Sequence, residues 1–262
     1  MFNQKKLQQE EQIMNKFLNK YQRRHFFQYD TPMTISFLLT NKCNLRCKHC
    51  FNNTEKKISL FSGLSVLFST WAFWIILFYF AAPSLPGWAT KNWLPTLFSE
   101  TLNIPMSEAG PISTITIAVS SFIGVIVGGI LSDRWVQKNI RGRVYTGAIG
   151  LGMTIPALML LGFGESFMAV VGAGLLFGIG FGIFDANNMP ILCQFISAKY
   201  RGTAYGIMNM TGVFAGAAVT EQLGKWTDGG NLGIGFALLS IVVLAALLLQ
   251  VYFLRPKTDN ME

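Results

Sequence analysis

The sequence predicts an all-α membrane protein, a six-transmembrane-helix bundle preceded by a short cytoplasmic amino-terminal extension. Three observations predict it. Of the 262 residues 51% are hydrophobic and only 13% charged, against roughly 25% charged in a soluble globular chain. Six long intervals carry no charge at all: residues 58–90, 109–132, 144–164, 166–184, 202–220 and 229–254. Each is close to or above the ~20 residues that a hydrocarbon core of roughly 30 Å demands. Finally, the segments between these intervals alternate between basic and base-poor, as the two sides of a bilayer require.

The chain divides by charge. The net charge is +8, yet residues 1–57 hold eleven Lys or Arg against four acids, whereas residues 58–262 hold ten against nine. The expected organisation is an amino-terminal segment over residues 1–57, the six-helix bundle over 58–256, and a cytoplasmic tail over 257–262. The first thirty residues stay polar and lack the apolar stretch and small-residue cleavage site of a secretory signal. Of the four cysteines, three lie within eight residues and only Cys193 is left to pair with them. That pattern speaks for a reducing compartment rather than a disulfide framework.

In order along the chain, residues 3–24 are rich in Gln, Lys, Glu and Asn, with Ile13, Met14, Phe17, Leu18 and Tyr21 at helical spacing. They read as a solvated arm, and no nucleic-acid partner is expected. Residues 33–39, Met-Thr-Ile-Ser-Phe-Leu-Leu, read as a buried strand. That strand runs into Cys43-x-x-x-Cys47-x-x-Cys50. The first charge-free interval is too long for one straight span, so it divides into an interfacial helix, Ile58–Ser69, and a span from Thr70 to about Leu97 kinked at Pro83 and Pro86. Five further spans follow, the fourth continuing past the embedded Asp185.

The loops test the span list independently. Segment 98–111 carries Glu100 and Glu108 and no base, and the turn between spans three and four has only Glu165. Segment 132–143 instead carries Arg134, Lys138, Arg141 and Arg143 against Asp133, and Lys199 and Arg201 bring the chain back to the same side. With Arg255 and Lys257 following the last span, both termini fall on the cytoplasmic side.

Inside the spans, small residues recur four apart at Gly124 and Gly128, at Gly174, Gly178 and Gly182, and at Gly212 and Gly216. Without a Cβ, two helices approach closely enough to gain dispersion contacts that lipid does not supply. Asp185 is the acid placed within an otherwise apolar stretch, where an ionisable group costs ~2.5 kcal/mol or more unless it faces a cavity or a partner. It reads either as a site residue with Asn187 and Asn188 beside it, or as a side chain reaching water from a helix end. Trp71, Trp74, Trp88 and Trp93 read as interface anchors or as rings that stack on a solute.

The order Gly129, Leu131, Ser132, Asp133, Arg134 between spans two and three resembles the loop signature of the major facilitator superfamily, with Val136 standing where the family usually has glycine. The fourth span carries Asp185, Asn187, Asn188 and Pro190 rather than an arginine, which is similar to the second half of such a transporter. The stretches Lys91-Asn92-Trp93-Leu94-Pro95-Thr96 and Tyr200-Arg201-Gly202-Thr203-Ala204-Tyr205-Gly206 resemble helix seven and the approach to helix eleven of its anion:cation symporter branch. The resemblance covers residues 57–256 and implies half of a major facilitator fold. It further implies an organic-anion substrate such as a sugar acid, a coupling H⁺ or Na⁺, a bacterial cytoplasmic membrane, and a second six-helix bundle as missing half or homodimer. Gly129, Asp133, Arg134 and Arg143 are then a cytoplasmic latch, or alternatively headgroup anchors, and Trp93, Asp185, Asn187 and Asn188 lie on the substrate path.

The cysteine loop resembles the cluster loop of radical S-adenosylmethionine enzymes, which implies a [4Fe-4S] cluster on Cys43, Cys47 and Cys50 with one iron left for the cofactor. Zinc held with the help of His49 is the other option. The catalytic barrel of those enzymes needs ~200 residues or more, and the chain enters the interfacial helix soon after Cys50, so no enzyme activity is expected. The expectation is a truncated or fused transporter, inactive without a partner half, joined near residues 52–58 to an idle remnant. A membrane-anchored iron–sulfur protein and an inert fusion product are the competing readings.

Overall fold

The computed structural model describes residues 60–197 and 200–255, and within them every regular element is a helix. A short helix α1 (Leu60–Ser69) is followed by six long ones: α2 (Trp71–Leu102), α3 (Met106–Val136), α4 (Gly142–Phe163), α5 (Phe167–Phe195), α6 (Arg201–Asp228) and α7 (Leu232–Phe253). The strand expected at 33–39 lies outside the described residues.

Five of the long helices, α2, α3, α4, α5 and α7, are apolar enough and long enough to cross a bilayer. The expectation of six apolar spans is therefore met in helix number but not in apolarity. α6 has the length, 28 residues, but Asn209, Thr203, Thr211 and Thr220 dilute its hydropathy. The chain is a multi-pass membrane protein built on an all-α bundle.

The helices also overrun the charge-free intervals. α2 continues through Pro83, Pro86 and Pro95 to Leu102 and ends on Asn103 in the left-handed conformation (φ 56°). Asp133 and Arg134 are helical, in the last turns of α3, and α4 starts at Gly142, so the expected loop 132–143 reduces to residues 137–141. Likewise α6 runs on to Asp228, past the charge-free interval that ends at residue 220. A charge marks where hydrocarbon ends, and a helix needs a stop signal rather than a charge to terminate. Gly230 supplies such a stop between α6 and α7 at φ 70°, a conformation open to glycine.

The packing follows from the small residues. α3 buries one stripe, Ala109, Ser113, Thr116, Ser120, Gly124, Gly128 and Ser132, and this stripe lies against α5. A Cβ added to Gly128 would stand 2.7 Å from the Cα of Ile183, and one added to Gly182 would strike the Ser121 carbonyl. The remaining faces of α3 expose Ile115, Val119, Phe122, Ile126 and Ile130. α6 buries Ala204, Met208, Gly212, Gly216, Val219 and Leu223 against α2. α4 joins α5 to α7, and α2 reaches α7 as well, which closes the bundle around Tyr79, Phe73, Phe98, Phe177, Phe184 and Phe236, all fully buried. Tyr79 and Phe184 meet edge to face, ring centres 5.1 Å apart. Buried hydroxyls bond to their own helices: Ser120 Oγ donates to the Thr116 carbonyl at 2.6 Å, Thr146 to Gly142 at 2.9 Å and Ser240 to Ala237 at 2.6 Å. Such an acceptor offsets the cost of burying a hydroxyl away from water, whereas the Ser132 and Tyr79 hydroxyls are buried without one.

Candidate functional site

Two groups of polar side chains stand out, one at the basic end of the bundle and one within the spans. At the basic end, α3 and α4 form a hairpin closed by Gly142, where an added Cβ would come within 2.6 Å of the Trp135 and Val136 backbone. Arg143 Nη2 donates to Asp133 Oδ1 at 2.9 Å, with side-chain exposures of 24% and 67%. The pair is internal to the hairpin, so Asp133 keeps one carboxylate oxygen for another partner. Arg134 is exposed in the last turn of α3, where a cation suits the helix dipole. Gly129 is half-buried, and a Cβ built on it meets nothing within 4 Å.

The same hairpin is lashed to the other helices. Arg141 Nη2 donates to the Val251 carbonyl at 2.6 Å and its guanidinium stands 4.8 Å over the Tyr145 ring. Gln194 Nε2 donates to the Ile140 carbonyl at 3.0 Å, and Gln250 Nε2 to the Val144 carbonyl at 2.7 Å. Nearby, Arg201 is buried at 8% exposure and donates to the Ile196 and Cys193 carbonyls at 3.0 and 2.8 Å. It caps the carboxy-terminal end of α5, whose last carbonyls lack helical partners. Gln194 and Gln250 were not singled out from sequence, because their acceptor carbonyls lie far along the chain, and Arg141 and Arg201 were read as bases marking one side of the membrane.

Within the spans, Asp185 is exposed while Asn187 is fully buried. Residues two apart on a helix point to opposite sides, and residues three apart share a face. Asn188 Nδ2 accordingly donates to Asp185 Oδ1 at 3.1 Å, whereas Asn187 Nδ2 turns inward to the Ile183 carbonyl at 2.8 Å. The structure brings Asp185 and Asn188 together and sends Asn187 into the core. The Oδ1 atoms of both asparagines are buried without a hydrogen-bond partner.

Trp93 sits on the seam between α2 and α6. Its Nε1 donates to the Thr220 carbonyl at 3.0 Å, Asn92 Nδ2 donates to the Thr220 hydroxyl at 2.9 Å, and the indole lies on Gly224. Trp71 and Trp74 are exposed near the start of α2. Lys91, which the sequence offered only as part of a stretch, is an exposed cation in the interior of α2. The signal was available: it is a base between the long uncharged interval 58–90 and the short one 92–99, inside the span expected to run to about Leu97. Cys43, Cys47 and Cys50 lie outside the described residues. Among the described residues no three His, Cys, Asp or Glu gather as metal ligands.

A helical bundle of this length, with glycine-lined seams, a basic hairpin at one end and opposite charges inside its spans, defines a polytopic membrane protein. The chain belongs to the Major Facilitator Superfamily, whose family model matches residues 19–220. It is 27% identical over 178 residues to the "Probable anion transporter 3, chloroplastic" of Oryza sativa subsp. japonica, covering 67% of this chain and 34% of that protein. It is 24% identical over 172 residues to the "Cis,cis-muconate transport protein" of Acinetobacter baylyi, covering 65% and 40% respectively. Against the "Citrate-proton symporter" of Klebsiella pneumoniae the identity is 25% over 165 residues, 62% of this chain and 36% of the other. The chain thus spans about a third of the length of the relatives it matches.

Proposed function

We propose that this chain is the carboxy-terminal six-helix half of a secondary transporter that moves a small organic anion, of the sugar-acid kind, across a bacterial cytoplasmic membrane with H⁺ or Na⁺ as the coupling ion. The single observation that carries this reading is Asp185, a carboxylate set within a span and turned outward from the bundle core. Its cost in a membrane is relieved where it faces a water-filled path. The printed names of the relatives, an anion transporter, a muconate carrier and a citrate–proton symporter, support the same class.

In this reading Asp185 takes up the coupling ion or accepts a hydrogen bond from a substrate hydroxyl, and Asn188 fixes the carboxylate rotamer. Asn187 braces α5 behind them and Trp93 borders the path. Alternating access needs two bundles rocking about a site between them, so a second bundle, either an amino-terminal half or another copy of this chain, covers the open face. At the cytoplasmic end, Asp133 and Arg134 meet that second bundle while Arg143 holds Asp133 in position, and the bare surface at Gly129 admits its close approach. Both termini lie in the cytoplasm, and the chain itself has no enzymatic role.

The test is uptake of radiolabelled citrate and cis,cis-muconate by bacterial cells. The chain is expressed alone and together with the amino-terminal six helices of a relative. Uptake is expected in the paired cells, and in cells expressing the chain alone where a second copy supplies the other bundle; Asp185→Ala should lower it at least about tenfold, the loss of one charge-assisted contact. Paired cells that take up no organic anion would overturn the reading.

A further inference from the structure

Lys91 is the charged residue that the reading above leaves without a task. It lies twenty residues into α2 and eleven short of its end at Leu102, about 30 Å and about 17 Å along the axis respectively. Its position is therefore in the interior of a span, where neither end of the helix is close enough for the ammonium to reach bulk water along the bilayer normal. Yet the side chain is exposed rather than buried among the helices.

The neighbourhood of Lys91 is built, not loose. Its Nζ stands 5.1 Å from the centre of the Trp88 ring. That ring rests on Gly216 of α6, where any added Cβ would collide with the indole. One turn further on, Asn92 and Trp93 both bond to Thr220 of the same helix. This stretch of α2 is held on three points of α6, which directs Lys91 to the remaining open side. A cation over an aromatic face is attracted by the ring quadrupole without being neutralised, so the ammonium keeps its charge and its donors. Among the described residues the ion pairs are Arg143–Asp133 and Lys225–Glu221, and neither involves Lys91 or Asp185.

We infer that Lys91 binds the carboxylate of the transported anion, with the Trp88 ring holding its ammonium on the open side of α2. The inference rests on the transport reading and deepens it by naming the group that recognises the negative charge. A cation with no anion in contact among the described residues is completed by an anionic ligand, and a carboxylate offers two acceptor oxygens to the three ammonium donors.

The experiment uses the purified full chain in detergent, titrated calorimetrically with citrate, gluconate and 3-phenylpropionate, with helicity of every variant checked by circular dichroism. Lys91→Gln should weaken carboxylate binding at least about tenfold and Lys91→Arg should stay within about threefold, since arginine keeps the charge and lysine's donors are not uniquely placed. A second measurement needs no variant: the same carboxylates should protect Lys91 from an amine-reactive reagent, read by mass spectrometry. Binding that survives Lys91→Gln, or an absence of protection, overturns the assignment and leaves the transport reading standing. Failure of the unsubstituted chain to bind any of the three also overturns it, and the uptake experiment then decides the transport reading separately.

Discussion

Gly128 shows how much a single missing methyl determines in this bundle. Its neighbours on α5 lie where a Cβ would be, 2.7 Å from the Cα of Ile183, and backbone cannot swing aside as a side-chain tip can. Gly128→Leu is expected to destabilise the chain by about 1–3 kcal/mol, the cost of overpacking a close contact, measured as a lowered thermal midpoint in detergent. Gly129→Ala, one position away with open space around it, should leave that midpoint unchanged. The four-residue glycine spacing was legible in sequence because helix geometry alone places such residues on one stripe. Which of two adjacent glycines faces a partner was not. The same step of about 100° per residue separates Asp185 from Asn187: a run of polar residues in the sequence becomes one exposed carboxylate, one hydrogen-bonded neighbour and one core amide.

At the scale of the element, helix positions were read well and helix ends were not. Charge-free intervals locate the hydrocarbon without fixing the helix ends: α3 and α6 extend past theirs because Asp133 and Glu221 are acceptable helix residues, and α2 carries Lys91 within its span and runs on past Glu100. α6 is the element that the apolar count overstated, and its buried face is correspondingly narrow, a single stripe against α2. Arg201 at the start of α6 is tied to the end of α5 through two carbonyls. Arg201→Met is expected to cost about 3 kcal/mol, since it removes charge-assisted hydrogen bonds and leaves the Ile196 and Cys193 carbonyls unpaired. The check is the thermal midpoint together with faster amide hydrogen exchange confined to the α5–α6 joint. By contrast the Asp133–Arg143 pair, with the carboxylate largely exposed, should contribute no more than ~1 kcal/mol to stability. Its importance, in the transport reading, lies in orientation.

For the whole molecule, alternating charge makes a prediction about sidedness. With the native cysteines replaced by Ser, Gln137→Cys in the basic hairpin should be labelled by a membrane-impermeant maleimide only in inverted vesicles. Asn231→Cys between α6 and α7 should be labelled only in intact cells. Labelling of both from one side would overturn the topology. The sequence by itself determined the all-α membrane class, the number of long helices and the alternation of their loops, because hydrophobic thickness and the placement of bases act on stretches of chain without reference to neighbours. Only the tertiary structure decided which faces meet. The pairing of α3 with α5 and of α2 with α6 places Lys91 on the open side, over Trp88, and directs Asp185 outward while Asn187 is enclosed. Those assignments depend on contacts between residues a hundred or more positions apart, such as Trp93 with Thr220 and Arg141 with Val251, and close packing resolves them only when all the helices are assembled.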